Sequence, residues 1–167
     1  MTNTLEATTQ IITSNELLDH WIGHRRLTRR TIEAFPEKEL FTYSVGGMRP
    51  FAEMVLECVG MTIPGIIGVK TGEWNTVDEL MHHSKKGTPT TKEELLNLVD
   101  EVTEQMTELW TEIPEERFRE KDRAFGQWEG TNYWFVLYWI DNEIHHRAQA
   151  FVYLRSLGIQ PPFFWER

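Results

Sequence analysis

Residues 132–157 read NYWFVLYWIDNEIHHRAQAFVYLRSL, and this stretch decides the fold. Its first two turns are apolar on every side, which predicts burial on more than one face of a helix. Gly158 follows the stretch and Pro161–Pro162 comes shortly afterwards, in the order that usually ends a helix. The sequence therefore predicts a long and deeply buried helix over residues 132–157.

Two further helices are predicted toward the amino terminus. Residues 13–16 have the composition of a capping box, so the first helix is predicted to begin there and to end before Pro36. The second is predicted over about residues 50–60, because a proline at its start suits a first turn, and Pro64–Gly65 is expected to kink or end it. Residues 1–12 are rich in threonine with little to bury, and they are predicted to form a mobile tail.

The third predicted helix has the clearest pattern. It begins at the Thr91–Glu94 capping box, and apolar side chains then recur every three or four residues as far as Ile113. Residues 72–89 and 115–130 are predicted as connections without strands, with one short helical turn in the first of them. Four helices and two long connections predict an all-α fold, a four-helix bundle made by residues 1–167 as a single domain.

Composition and charge exclude several classes of protein. The 167 residues are 40% hydrophobic and 12% aromatic, which suffices for one substantial core. Seventeen basic and 26 acidic residues give a net charge of −9, which argues against nucleic-acid binding. The longest unbroken apolar run, residues 133–140, is shorter than the roughly 18–20 residues of a membrane span, so no membrane association is predicted. The single Cys58 and a first segment unlike a signal peptide predict a cytoplasmic protein.

A polar group interrupts the most hydrophobic helix and is the first candidate site. Asn142 and His146 are four residues apart and Gln149 lies one turn further, so these three share one face, whereas His145 projects about a quarter-turn away. Histidine and carboxylate side chains at such spacing bind divalent metals, but a dependable site takes three protein ligands. A hydrogen-bonded network that fixes the helix register is the alternative interpretation, because buried polar groups must be paired in either case.

The other helices offer further candidates. Glu57 falls on the inward side of the second predicted helix, where its carboxylate either meets His146 or forms an ordinary salt bridge at the bundle edge. His20 and His24 are four residues apart on the first helix and form a second candidate pair, although one member of such a pair can hydrogen-bond in the core while the other is exposed. The adjacent His82–His83 pair lies in a connection and is predicted to be solvated.

The sequence also resembles a known family. Residues 142–149, NEIHHRAQ, and residues 152–162, VYLRSLGIQPP, look like the carboxy-terminal signature of the DinB-like (damage-inducible, YfiT-type) four-helix proteins. Residues 49–54, RPFAEM, resemble the start of that family's second helix. The similarity in order and length covers nearly the whole chain, and it implies a four-helix bundle of the DinB/YfiT-like type with long crossover connections.

The resemblance implies a metal site with an altered set of ligands. Members of the family typically hold a divalent ion, often zinc or nickel, with one histidine on the second helix and two histidines, four residues apart, on the fourth. These positions fall on Glu57, Asn142 and His146, so only one of them is a histidine here. A glutamate can preserve a ligand, whereas a neutral asparagine is a weak one. Glu143 can substitute as a ligand only if its carboxylate approaches the ion from a different side. The expected cofactor is therefore zinc or nickel, or no metal at all.

Two functions are expected from the resemblance. Characterised relatives include transferases and isomerases that use bacillithiol or mycothiol, which implies a metal-dependent enzyme, a thiol S-transferase or hydrolase-like, acting on a small molecule. The alternative is a metal-free bundle protein that binds a small ligand or acts in a stress response. Relatives often form dimers, so a homodimer is expected, without nucleic-acid or membrane partners. The candidate substrate-binding residues are His145, Gln149, His20 and His24.

Overall fold

A computed structural model describes residues 11–167 of the chain. Residues 1–10, which make up most of the predicted tail, lie outside the described residues. Within the described part, six α-helices and one antiparallel hairpin follow each other in the order α1 (Ser14–Ala34), α2 (Glu37–Thr42), α3 (Phe51–Thr71), α4 (Met81–Ser84), α5 (Lys92–Trp110), β1 (Lys121–Ala124), β2 (Trp128–Thr131) and α6 (Asn132–Ser156).

The four long helices form the predicted bundle. Helix α1 packs against α5 and α6, and α3 packs against the same two helices. The connections between them carry the short helices α2 and α4 and the hairpin. One apolar cluster surrounds Trp21, Met106 and Trp139 at the hairpin end, and a second surrounds Phe35 and Phe51. The predictions of an all-α fold and of a four-helix bundle with long connections are confirmed.

Local signals set the ends of the long helices. Thr13 and Glu16 form the capping box of α1, and Thr91 and Glu94 form that of α5, with side chain and backbone hydrogen-bonded in both directions. Gly158, just beyond α6, has a φ of 77°, a conformation that glycine adopts without strain. These boundaries depend on a few neighbouring residues, and the sequence therefore predicted them within a few positions.

Helix α3 is longer than predicted. It continues through Pro64–Gly65 to Thr71 and ends where Gly72 adopts a φ of 79°. Burial of the apolar side chains beyond the proline, such as Ile66, stabilises the continued helix. At Gly65 an added Cβ would lie 2.5 Å from the ring of Trp139, so glycine allows α3 and α6 to approach closely. Packing between the helices therefore outweighs the tendency of Pro64–Gly65 to end α3.

The connection before α6 contains a hairpin, and the prediction that it has no strands was wrong. Strand β1 pairs with β2 in a register that places Lys121 opposite Thr131 and Ala124 opposite Trp128. Gly126 has a positive φ of 71° in the turn. Strands of four residues are too short to show a clear alternating pattern, so they cannot be recognised from the sequence.

Helix α3 is apolar enough and long enough to cross a membrane by length and composition alone. Its most apolar window has a mean hydropathy of 1.5, and 72% of that window is buried inside the bundle. This degree of burial is typical of the central helix of a soluble protein. Glutamate and glycine residues interrupt the apolar run of this helix, so its length does not show in a search for unbroken apolar stretches.

Candidate functional site

Five polar side chains meet between α3 and α6, and we call them the polar centre. Glu57 comes from α3, whereas Asn142, His146 and Gln149 come from one face of α6. Arg49 precedes the first turn of α3. The structure therefore brings together the three residues predicted as metal ligands and one of those predicted to bind substrate, and it adds an arginine.

The carboxylate of Glu57 receives contacts from three sides. Its Oε1 accepts a hydrogen bond from Asn142 Nδ2 at 3.1 Å and lies 3.3 Å from His146 Nε2. Its Oε2 lies 2.6 Å from Nη2 of Arg49. The hydrogen bond with His146, together with those from Arg49 and Asn142, holds the pKa of Glu57 well below its usual range, although burial acts in the opposite direction. Glu57 is therefore an anion at neutral pH.

The imidazole of His146 is held at both nitrogens. Nδ1 lies 2.8 Å from Oε1 of Gln149, so the ring proton on Nδ1 is donated to that amide oxygen. Nε2 lies between Oε1 of Glu57 at 3.3 Å and Nη2 of Arg49 at 3.4 Å. When it is protonated, Nε2 donates to the carboxylate, and when it is unprotonated, it accepts from the guanidinium. Either state thus has a partner without movement of the helices.

Helix α6 contacts the backbone of Arg49 and the neighbouring Met48, and these contacts hold Arg49 in place. The hydroxyl of the buried Tyr153 donates to the carbonyl oxygen of Arg49 at 3.0 Å, and Gln149 Nε2 contacts the sulfur of Met48 at 3.3 Å. The side chain of Arg49 is 44% exposed, so a molecule in solution can reach it. Arg49 is not among the site residues predicted from the sequence, because nothing in the local pattern shows that the segment before α3 packs against α6.

This donor set does not fit a zinc or nickel ion. Such an ion takes three strong protein ligands, and only Glu57 and His146 are strong ones. Asn142 turns its amide nitrogen, a donor, toward the carboxylate, and the cation of Arg49 already lies against both remaining ligands. Among residues 11–167, no three His, Cys, Asp or Glu side chains come close enough together to hold an ion.

Glu143, the substitute ligand suggested by the sequence, belongs to a different buried cluster. Its carboxylate is 1% exposed, forms an ion pair with Arg25 at 3.1 Å and accepts a hydrogen bond from Trp21 Nε1 at 3.2 Å. Arg25 also donates to Thr62 at 3.0 Å. Glu143 therefore ties α1 to α6 and takes no part in the polar centre.

The remaining predicted substrate residues do not join the polar centre. His24 is buried and accepts a hydrogen bond at Nδ1 from Arg147 Nη2 at 2.8 Å. His20 is exposed, and its ring stacks edge-on against His24. His145 is exposed on α6, with its ring centre 5.2 Å from that of His146. Of the predicted substrate residues, only Gln149 contacts His146 by a hydrogen bond.

Cys58 is fully buried beside the polar centre. Asn142 Nδ2 lies 3.9 Å from its sulfur. Burial, and next the negative charge of Glu143, raise the pKa of this thiol well above its usual value. The thiol is therefore protonated and inaccessible, and it serves as a small core residue.

A cavity of about 200 Å³ adjoins the polar centre, and we call it the chamber. It lies between the amino-terminal end of α3 and the segment around α4, and Arg49 lines both the chamber and the centre. His82 also lines it and is only partly exposed, so the prediction of a solvated pair holds for His83 but was wrong for His82. The chamber gives a small molecule a route from solvent to Arg49.

Comparisons with known proteins identify the family. The model of the DinB family matches residues 1–166. A DinB-like protein from Bacillus cereus ATCC 10987 is 16% identical and has a TM-score of 0.70, with 90% of this chain and 97% of that one covered. A DinB-like protein from Bacillus subtilis is 19% identical with the same TM-score, and 92% and 100% are covered.

A more distant structure with the same fold carries a functional name. The mycothiol-dependent maleylpyruvate isomerase is 14% identical, with a TM-score of 0.62 and with 81% of this chain and 60% of that one covered. Identity at this level shows a common fold alone. The comparison with curated proteins gives no match.

Proposed function

Since the chain belongs to the DinB family, we propose that it binds a small molecule at the polar centre and that Arg49, in place of a zinc or nickel ion, supplies the positive charge there. The observation that supports this proposal is the position of one atom. Nη2 of Arg49 lies 2.6 Å from Glu57 and 3.4 Å from His146. A single cation thus touches both strong ligands of the set that the family resemblance implies.

The charge balance favours the same proposal. A buried or half-buried carboxylate needs a cation or several hydrogen bonds to remain ionised. Glu57 has both, because the guanidinium neutralises it and the amide of Asn142 donates to it. An incoming divalent ion would have to displace Arg49 and turn the Asn142 amide. Zinc therefore gains less from this site than from one with three free histidines.

A metal-independent thiol transferase is the second candidate function. The observation that favours it is a base beside a cation, since His146 Nε2 lies 3.4 Å from the guanidinium of Arg49. His146 would accept the proton of a low-molecular-weight thiol, and the guanidinium would stabilise the thiolate. The thiolate would then attack a carbon electrophile, forming a C–S bond as the leaving group departs. The name of the mycothiol-dependent structural neighbour supports a thiol as the substrate.

The thiol transferase is tested with bacillithiol or mycothiol and 1-chloro-2,4-dinitrobenzene, from which the thiolate displaces chloride. We expect His146→Ala to lower the rate by about 100-fold or more, the usual contribution of a general base. His145→Ala is the matched control, because this neighbouring histidine is exposed. Activity should persist after treatment with EDTA. Equal effects of the two substitutions, or loss of activity with EDTA, would contradict this candidate.

The proposal about Arg49 predicts how the chain responds to zinc. The native chain is expected to take up no stoichiometric zinc in competition with a chromogenic chelator. The double variant Glu57→His with Asn142→His should bind one zinc ion per chain, because it restores three histidines on the two helices. Adding His146→Ala to the double variant should abolish this uptake.

One result of the zinc measurement would contradict the proposal about Arg49. If the native chain binds one zinc ion and His146→Ala removes it, then Glu57, Asn142 and His146 act as the altered ligand set predicted from the sequence. Circular dichroism of each variant shows whether the bundle is intact, so a folding defect is not mistaken for loss of metal. The single variant Arg49→Ala measures how strongly the guanidinium opposes the ion.

A further inference from the structure

The chamber is richer in hydrogen-bond donors than in acceptors. Arg49 and Lys85 bring two cations to its lining, and Thr88 brings a hydroxyl. Among residues 11–167, Glu53 is the only acidic residue that lines it. Because Arg49 already faces Glu57 in the polar centre, Lys85 is the cation of the lining that has no salt bridge within residues 11–167. A cavity with this lining favours an anionic ligand.

Arg49 has donors to spare for such a ligand. A guanidinium has five N–H groups in a planar fork. Both contacts with the polar centre, to Glu57 and to His146, are made by Nη2. Within residues 11–167, Nε and Nη1 of Arg49 make no hydrogen bond to a side chain or to the backbone. Each of these groups can donate a charge-assisted hydrogen bond to a carboxylate oxygen.

His82 adds another donor to the same lining. Its Nδ1 is buried against Gly60 and has no hydrogen-bond partner within the described part of the chain. Burial, and next the neighbouring His83, lower the pKa of His82, so the ring is neutral at pH 7. A neutral ring with an unpaired buried Nδ1 favours the tautomer that carries its proton on Nε2, because an unpaired buried N–H would cost more.

The backbone at Lys85 is strained. Its φ of 52° is in the left-handed region, which costs a residue other than glycine, asparagine or aspartate about 1 kcal/mol. Glycine or asparagine would fit this position at the end of α4 more easily. From this position Lys85 lines the chamber.

The other walls of the chamber are apolar. They are formed by Phe41, Ala52, Leu56 and Pro89. The cavity volume is about 200 Å³, and an apolar cavity of about 150 Å³ is enough to hold benzene. The walls therefore suit a compact hydrocarbon group, whereas the basic side chains suit an anion at one end of it.

We propose that the chamber binds a small carboxylate with a compact apolar body, whose carboxylate is held by Arg49 and Lys85 and whose body lies against Phe41 and Leu56. This inference rests on the proposed function, because it names the class of molecule that approaches the polar centre. Arg49 connects the two, since the same guanidinium holds Glu57 and faces the ligand.

The experiment is calorimetric titration of the full chain, freed of metal with EDTA, with benzoate and with benzamide. These two probes have the same shape and differ in charge. Benzoate is expected to bind at least about tenfold more tightly than benzamide, which corresponds to one charge-assisted contact of about 1.4 kcal/mol. Lys85→Asn should lower the affinity for benzoate at least fivefold, and Glu53→Gln should raise it.

Two variants distinguish a loss of benzoate binding at the chamber from a general effect of charge and from unfolding. Lys86→Asn is the matched control, because Lys86 is exposed and does not line the chamber, and it should leave the affinity unchanged. Asparagine tolerates the left-handed conformation, so Lys85→Asn should melt at the same temperature as the native chain or higher. Loss of benzoate binding in this variant therefore cannot come from unfolding.

Three results would overturn the inference: no binding of benzoate at millimolar concentration, equal affinity for benzamide, or equal effects of Lys85→Asn and Lys86→Asn. None of these depends on metal. Conversely, stoichiometric zinc in the native chain would overturn the proposal that Arg49 takes the place of an ion, and it would leave the benzoate result unaffected. The two proposals therefore fail by separate measurements.

Discussion

Replacing Glu143 with glutamine is expected to lower the free energy of unfolding by about 3–5 kcal/mol, the usual cost of removing one partner of a buried ion pair. The side chains of Arg25 and Glu143 are 2% and 1% exposed. Without the carboxylate, the guanidinium is left charged in the core, where Thr62 is its other hydrogen-bond partner. Nη1 of Arg25 already lacks a partner within the described residues, so little in the surroundings can compensate.

Glu166→Gln is the matched control for this variant. Glu166 pairs with Arg30 at 3.0 Å, and both side chains are more than 40% exposed. Exposed pairs contribute about 0–1 kcal/mol, so this change should be nearly neutral. Urea denaturation of both variants measures the difference. A loss of less than about 1 kcal/mol in Glu143→Gln would show that the pair is weak or that water reaches Arg25.

The second large effect is a loss of stability in mild acid through His24. Burial, followed by the charges of Arg147, His20 and Arg167, lowers the pKa of His24 from 6.5 to about 4. The unfolded chain therefore binds a proton on this residue near pH 6.5, whereas the folded chain does so only near pH 4. The contribution of neutral His24 to the free energy of unfolding is therefore fully present above pH 6.5, and it is lost as the pH falls toward 4.

The expected loss is about 2 kcal/mol between pH 7.5 and pH 5 and about 3 kcal/mol by pH 4. Urea denaturation at a series of pH values measures it. His24→Gln should remove most of this dependence above pH 5, where carboxylates titrate little. His145→Gln is the control, because this histidine is exposed. An unchanged pH dependence in His24→Gln would show that another group is responsible.

The long helices could be predicted because their signals are local. The capping boxes at Thr13 and Thr91 and the apolar spacing after Thr91 depend on residues within one or two turns. The extension of α3 beyond Pro64 and the hairpin before α6 could not be predicted, because they depend on contacts between distant elements. Trp139 of α6, for example, packs against Gly65 of α3.

The polar centre was predictable only in part. The spacing of Asn142, His146 and Gln149 on one helical face follows from the period of the helix. For Glu57 the sequence left two alternatives open, a contact with His146 or a salt bridge at the bundle edge. The structure places the side chains of Glu57 and His146 3.3 Å apart. Arg49 had no local signal, because its role depends on how the segment before α3 packs against α6.

In the proposed function, Arg49 supplies the positive charge at the polar centre. The family resemblance implies a metal site at Glu57, Asn142 and His146, whereas the structure places an arginine against the two strong ligands of that set. The same guanidinium lines the chamber, where it can bind an anion from solution. Arg49 thus provides both the stability of the Glu57 carboxylate and the proposed recognition of the ligand.

The decisive measurement is a crystal structure of the native chain grown with excess zinc, with data collected at the zinc absorption edge. We expect Arg49 to lie against Glu57 and His146, with no anomalous peak between α3 and α6. An anomalous peak bound by Glu57, Asn142 and His146, with Arg49 turned away, would contradict it.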